Sequence, residues 1–195
     1  MKIIKIMAFL FVLLVISMTL ESATAYNTTS SNGASWIWTV QPVQVNSSSL
    51  PSTWRTATNN SMNSWNAAGA NFTYINQQNN SIHTIVTQSA TLNQNVLGQE
   101  FPTAGVWVSG VKWQKTASLV KINTGSGYVW STASTCPSKS YDVESVIVHE
   151  LGHTLGLFHE NSNTAYTMHE YLSNGTTDHR SLETDDKNGS KAIYP

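Results

Sequence analysis

The chain has 195 residues, a formal net charge of −1 from 10 Lys and Arg against 11 Asp and Glu, and only 11% charged residues, where soluble proteins average about a quarter. That balance excludes a basic nucleic-acid binder and an acidic tail protein. Apolar residues at 40%, with seven Trp and seven Tyr, suffice for the core of one domain, and the single cysteine, Cys136, excludes an intramolecular disulfide and any multi-cysteine zinc finger.

Residues 1–25 read as a signal peptide. Lys2 and Lys5 precede an apolar run from Ile6 to Leu20, and Ala23 and Ala25 supply the small residues of a cleavage site before Tyr26. The run is short for a spanning helix, which needs about 20 residues; an uncleaved anchor is the alternative. The expected mature chain, 26–195, forms one domain that is secreted, monomeric and without stable membrane association once the signal is cleaved. Its Asn, Ser and Thr content, with sequons at Asn27, Asn46, Asn59, Asn71, Asn79, Asn174 and Asn188, suits an extracellular surface.

Residues 27–34 read as an irregular mature N-terminus. Alternating Trp36, Trp38 and Val40 predict one strand over Trp36–Val45. Pro51 opens a helix to about Ala68, with Trp54, Ala57, Met62 and Trp65 on its apolar face and Gly69 after its end. Strands are expected at Phe72–Ile75 and Ile82–Val86, then at Val106–Val108 and Ser118–Ile122, split by Gly110. Gly125 and Gly127 mark a turn. Tyr141–Leu155 is a helix with Asp142 as N-cap, and a last helix runs from Thr184 to Tyr194. The order is α+β, without repeats or a linker.

Residues 149–159 read His-Glu-Leu-Gly-His-Thr-Leu-Gly-Leu-Phe-His. His149 and His153, four apart on a helix, project from one face and can reach one metal ion. Glu150 sits at the edge of that face, suited to holding a water rather than the ion. Gly156 permits the positive φ of a sharp turn, which returns His159 as a third ligand. Three imidazoles and an open position suit a catalytic zinc, whereas a structural zinc is closed by four protein ligands. A histidine-bearing amphipathic helix without metal is the plain alternative.

This run resembles the zinc motif of the metzincin metalloproteases. Ala165-Tyr166-Thr167-Met168, nine residues after His159, resembles their methionine turn at the short spacing of the matrixins. Asp142-Val143-Glu144-Ser145-Val146 is similar to the start of the matrixin active-site helix, and Leu182-Glu183-Thr184-Asp185-Asp186 with Ala192-Ile193-Tyr194 resembles the matrixin final helix. The resemblance is strong over about 140–195 and thin over 26–139. It implies a twisted, mostly parallel five-stranded sheet, a backing helix, a zinc helix and a small C-terminal subdomain with one helix. It also implies one catalytic Zn2+ and an extended peptide or protein substrate bound by strand addition. Met168 would support the ligands from below, and Asp185 and Asp186 would tie the last helix to the methionine turn and the new N-terminus. Simple charge complementarity at a helix N-terminus is the other reading of the two aspartates.

The chain also departs from the family pattern. Between His83 and His149 there is no histidine, and Asp142 is the sole aspartate before the helix. No second zinc and no typical calcium loops are therefore expected. No prodomain is expected either, and Thr135-Cys136-Pro137 does not match the family's inhibitory cysteine segment, so Cys136 is read as a free thiol in a loop. Tyr171, three residues after Met168, misses by one the spacing of a zinc-linked tyrosine in related branches and is read as a pocket or core residue. His169 and His179 are read as loop histidines and His83 as a packed or surface residue of a strand. The expected activity is peptide-bond hydrolysis by a zinc-activated water with Glu150 as general base. A zinc-binding protein without catalysis, and a hydrolase of another amide or ester, are the competing functions.

Overall fold

The structure is a computed structural model that describes residues 35–77, 83–90, 92–108 and 112–195. The signal peptide, the cleavage point before Tyr26, the irregular mature N-terminus 27–34, the first residue of the Ile82–Val86 strand and Gly110 lie outside the described residues. Among the described residues no helix is long and apolar enough to cross a membrane.

Two strands, β1 (Ser35–Trp38) and β2 (Val43–Asn46), stand where one was expected. Pro42 between them has no N–H to give a ladder, and the two pieces serve different neighbours. β1 runs parallel to β6 (Lys112–Asn123), with Trp36 opposite Trp113. β2 runs parallel to β3 (Tyr74–Asn76) on one side and to β4 (Thr84–Ser89) on the other. Alternation at Trp36, Trp38 and Val40 describes the first piece and cannot register the break.

The core of the sheet is β3-β2-β4-β6, all parallel, with β5 (Gly98–Val108) antiparallel on the outer edge of β6. These five strands form the expected sheet. β1 adds a sixth beside the first residues of β6, in line with β4. β5 begins well before the expected Val106, because Gln99, Glu100 and Pro102 hide the strand from an apolar pattern. An edge strand tolerates such residues.

Helix α1 (Ser52–Asn66) backs the sheet and helix α2 (Val143–Leu155). Its buried Ala57, Ser61 and Trp65 recur every four residues, with Thr58 and Met62 one step round. The Trp65 indole N–H donates to Val148 O at 2.9 Å, fixing α1 on α2. Gly69, at φ +83°, turns the chain out of α1.

The two-residue strands β7 (Trp130–Ser131) and β8 (Tyr141–Asp142) pair just before α2. Asp142 then caps the helix, accepting from Ser145 N and Ser145 Oγ at 2.8 Å each. Its carboxylate is also forked by Arg180 from a single 3-10 turn, Asp178–Arg180, at 2.9 and 2.5 Å. Helix α3 (Thr184–Ile193) closes the C-terminal part, opened by a reciprocal cap between Glu183 and Asp186. One continuous core joins Val43, Val45, Val86, Val120 and Ile122 of the sheet to Ile147, Leu151 and Leu155 of α2 and Met62 and Trp65 of α1.

Candidate active site

α2 carries His149, Glu150 and His153 and is buried along most of its length. Gly156 ends it in the left-handed region at φ +108°, and its N–H and that of Leu157 return to His153 O and Gly152 O. The chain thus reverses and brings His159 back over the last turn. His149 Nε2 lies 3.1 Å from His153 Nε2, which lies 3.2 Å from His159 Nε2. Among the described residues these three form the cluster able to hold a metal ion.

Their other ring nitrogens decide what the cluster is. His149 Nδ1 is 2.7 Å from Thr167 O, and His153 Nδ1 is 2.8 Å from Leu157 O. A carbonyl only accepts, so both Nδ1 atoms carry the proton and both Nε2 atoms present lone pairs. Two bare nitrogens at 3.1 Å share no hydrogen bond; a cation at their focus satisfies both. Burial keeps the rings neutral: His149 is pushed well below the ordinary histidine range, His153 down to about 4, and His159, the most open, also downward. Neutral imidazole is the form that ligates metal. The donor set fits zinc.

Glu150 is 4% exposed, and among the described residues its Oε2 has no hydrogen-bond partner. Burial, then the charge of Glu100, push its carboxyl up to about 8, while a hydrogen bond from the Glu100 backbone N–H works the other way. Gly98 of β5 makes the close approach possible. A Cβ there would stand 2.8 Å from Glu150 Oε1 and 2.7 Å from Val146.

Beneath the histidines, Thr167 and Met168 sit in a turn closed by His169 N to Tyr166 O at 3.0 Å. The Met168 sulfur lies under Gly152, in the space a Cβ would take. Asp186 holds this turn through both of its oxygens, which is the tie to the last helix that the resemblance implied.

The site opens into a cavity of about 810 Å³ bounded by Trp36, Leu97, Tyr128, Tyr141, Phe158 and Leu172, among others. Tyr171 is a rim residue, 70% exposed at the mouth of this cavity. His169 bonds back to the Tyr171 backbone N–H in the same loop. His179 is buried, with Nε2 2.9 Å from Thr164 O. His83 stacks near Trp38 at 5.8 Å, just ahead of β4. Cys136 is a buried free thiol donating to Ser140 O. Sequence reasoning missed Gly98, Glu100 and Lys115. A lysine and a glutamate inside strand-forming runs were the available signal.

The α+β domain thus sets a three-histidine, metal-type cluster on a helix and the chain that returns after its glycine turn, above a methionine turn. The family model for the matrixins matches residues 37–195, and the chain belongs to that family. A comparison with curated proteins finds no match. Zinc as the metal and peptide or protein as the substrate class follow from the family.

Proposed function

We propose that the protein is a zinc-dependent endopeptidase in which His149, His153 and His159 hold one Zn2+ and Glu150 is the general base. The observation that supports it most directly is the unpartnered, buried Oε2 of Glu150, one residue from a ligand histidine whose lone pair faces the same space. Zinc, when bound, lowers the pKa of water and polarises a carbonyl. Glu150 takes the proton of the attacking water and passes it to the leaving amine. The bare backbone of Gly98 lies against that carboxylate and limits its movement. The outer edge of β5 offers its backbone groups to an extended substrate, which then lies across the cavity.

Residues 1–25 direct export and 26–195 form the catalytic domain, acting outside the cell as a monomer. The near-neutral net charge gives little overall attraction to nucleic acid. The test is a digest of a random peptide library by the purified protein. Internal cleavage that a chelator abolishes and zinc restores is expected; uncut peptides, or cleavage indifferent to chelator, overturn the proposal.

A further inference from the structure

The end of α2 is buried, so its last carbonyls need partners from elsewhere in the fold. Tyr74 Oη donates to Leu151 O at 2.8 Å, Trp38 Nε1 to Thr154 O at 2.8 Å, and Tyr194 Oη to Leu155 O at 3.0 Å. These three donors are neutral. The fourth is an ammonium: Lys115 of β6, 2% exposed, reaches Thr154 O at 3.0 Å and His153 O at 3.3 Å. Its counter-ion is Glu100 of β5, with Oε1 at 2.9 Å, and the Ser118 hydroxyl also donates to that oxygen.

Capping alone does not call for a buried ion pair, which is costly to desolvate and often no more stabilising than apolar residues of the same size. The neutral donors beside it do the same capping. What distinguishes the pair is the two points it joins. The ammonium sits on the carbonyl of His153, whose ring faces the cavity, while Glu100 belongs to β5, whose Gly98 lies directly against the Glu150 carboxylate. Both residues border that cavity.

We propose that Lys115 and Glu100 are positioning residues for peptide hydrolysis, clamping β5 to the last turn of α2 so that Gly98 of that strand keeps the Glu150 carboxylate in place and the substrate-binding edge stays at fixed height over His153. This rests on the reading of Glu150 as the base. The clamp acts on geometry that matters most when bonds change, since a shift of about 1 Å can cost about 10²-fold in rate.

The test compares zinc-loaded wild type with the double variant Glu100→Met/Lys115→Met, which replaces the pair by apolar residues of similar length. The expected result is one zinc per chain and a melting temperature near wild type, with kcat lowered at least about tenfold and KM within about twofold. That split marks an interaction used in the transition state. Equal zinc, equal melting and kcat within about twofold of wild type overturn the proposal. Should the double variant lose its cooperative melt, Glu100→Gln decides, because it keeps the shape and loses the charge pairing. A fall in kcat of about threefold or more at unchanged KM is expected of it, and an unchanged kcat overturns the clamp. Chelator-sensitive cleavage by wild type is measured alongside. Its absence strikes the endopeptidase reading itself, whereas its presence with unaffected variants strikes the clamp alone.

Discussion

Asp186 holds Met168 and its neighbour Thr167 with the two oxygens of one carboxylate. Its Oδ1 accepts the Met168 N–H at 3.1 Å, while Oδ2 accepts from Thr167 at 3.0 Å and from Glu183 at 2.8 Å. Thr167 in turn offers its carbonyl to His149 Nδ1, so the last helix is linked to the His149 ring through a single turn.

Asp186→Ala leaves these buried N–H groups without acceptors. The two fully buried ones, on Thr167 and Met168, cost about 1–3 kcal/mol each, and we expect a total loss of about 2–6 kcal/mol in chemical unfolding. Zinc affinity should fall about 10- to 100-fold, the usual effect of losing a group that orients a ligand. Unchanged zinc affinity in a chelator competition would show that His149 is oriented without the Thr167 turn.

Glu150→Gln preserves shape and removes the proton acceptor. Zinc content and melting temperature should match wild type, and peptide hydrolysis should drop at least about 10²-fold. A variant that keeps both zinc and most of its turnover refutes Glu150 as the base.

Gly152→Ala tests the packing under the ligands. The added Cβ would meet the Met168 sulfur and lie 2.8 Å from the Trp65 ring, which is anchored through its N–H to Val148 O. Alanine gains about 1 kcal/mol in helix propensity, but overpacking a core this tight costs about 1–3 kcal/mol. The ring cannot retreat without breaking its hydrogen bond, so a net lower melting temperature is expected. A higher one would mean that Met168 moves aside freely.

Acid should weaken the zinc-free protein in a defined window. The folded pKa of His153 is pushed down to about 4 by burial, below the unfolded value of about 6.5. The unfolded chain therefore takes up the proton first, and stability falls as pH drops from about 6.5 to about 4. Melting of the zinc-free protein across that range shows the slope, and His153→Gln should flatten it. A slope unchanged by the substitution would assign the effect to other groups.

The candidate site was legible because its residues are contiguous. His149, Glu150, His153, Gly156 and His159 lie within eleven positions of one helix and turn, where spacing alone dictates who faces whom. Asp142 and the last helix were legible for the same reason: caps and apolar spacing are local signals. The edge strand was not, since Gly98, Glu100 and Pro102 are chosen for what lies across from them. Gly98 makes room for Glu150 and Val146, and Glu100 answers Lys115 across the ladder between β5 and β6. Nor could the break at Pro42 be dated from alternation, because β1 and β2 differ in their partners rather than in their composition.

Trp38 and Tyr194 meet at the end of α2: the Trp38 N–H donates to Tyr194 Oη at 3.1 Å across 156 positions of sequence, and each of the two side chains also caps a carbonyl of that helix. A ribosome adding about 5–20 residues per second delivers the second partner roughly 8–30 s after the first. Over the last 39 of those positions the helix bearing His149 and His153 has been made but still lacks the Tyr194 hydroxyl on its final carbonyl, and the Asp186 grip arrives only with α3. The three-histidine cluster is therefore locked only once α3 has followed it out.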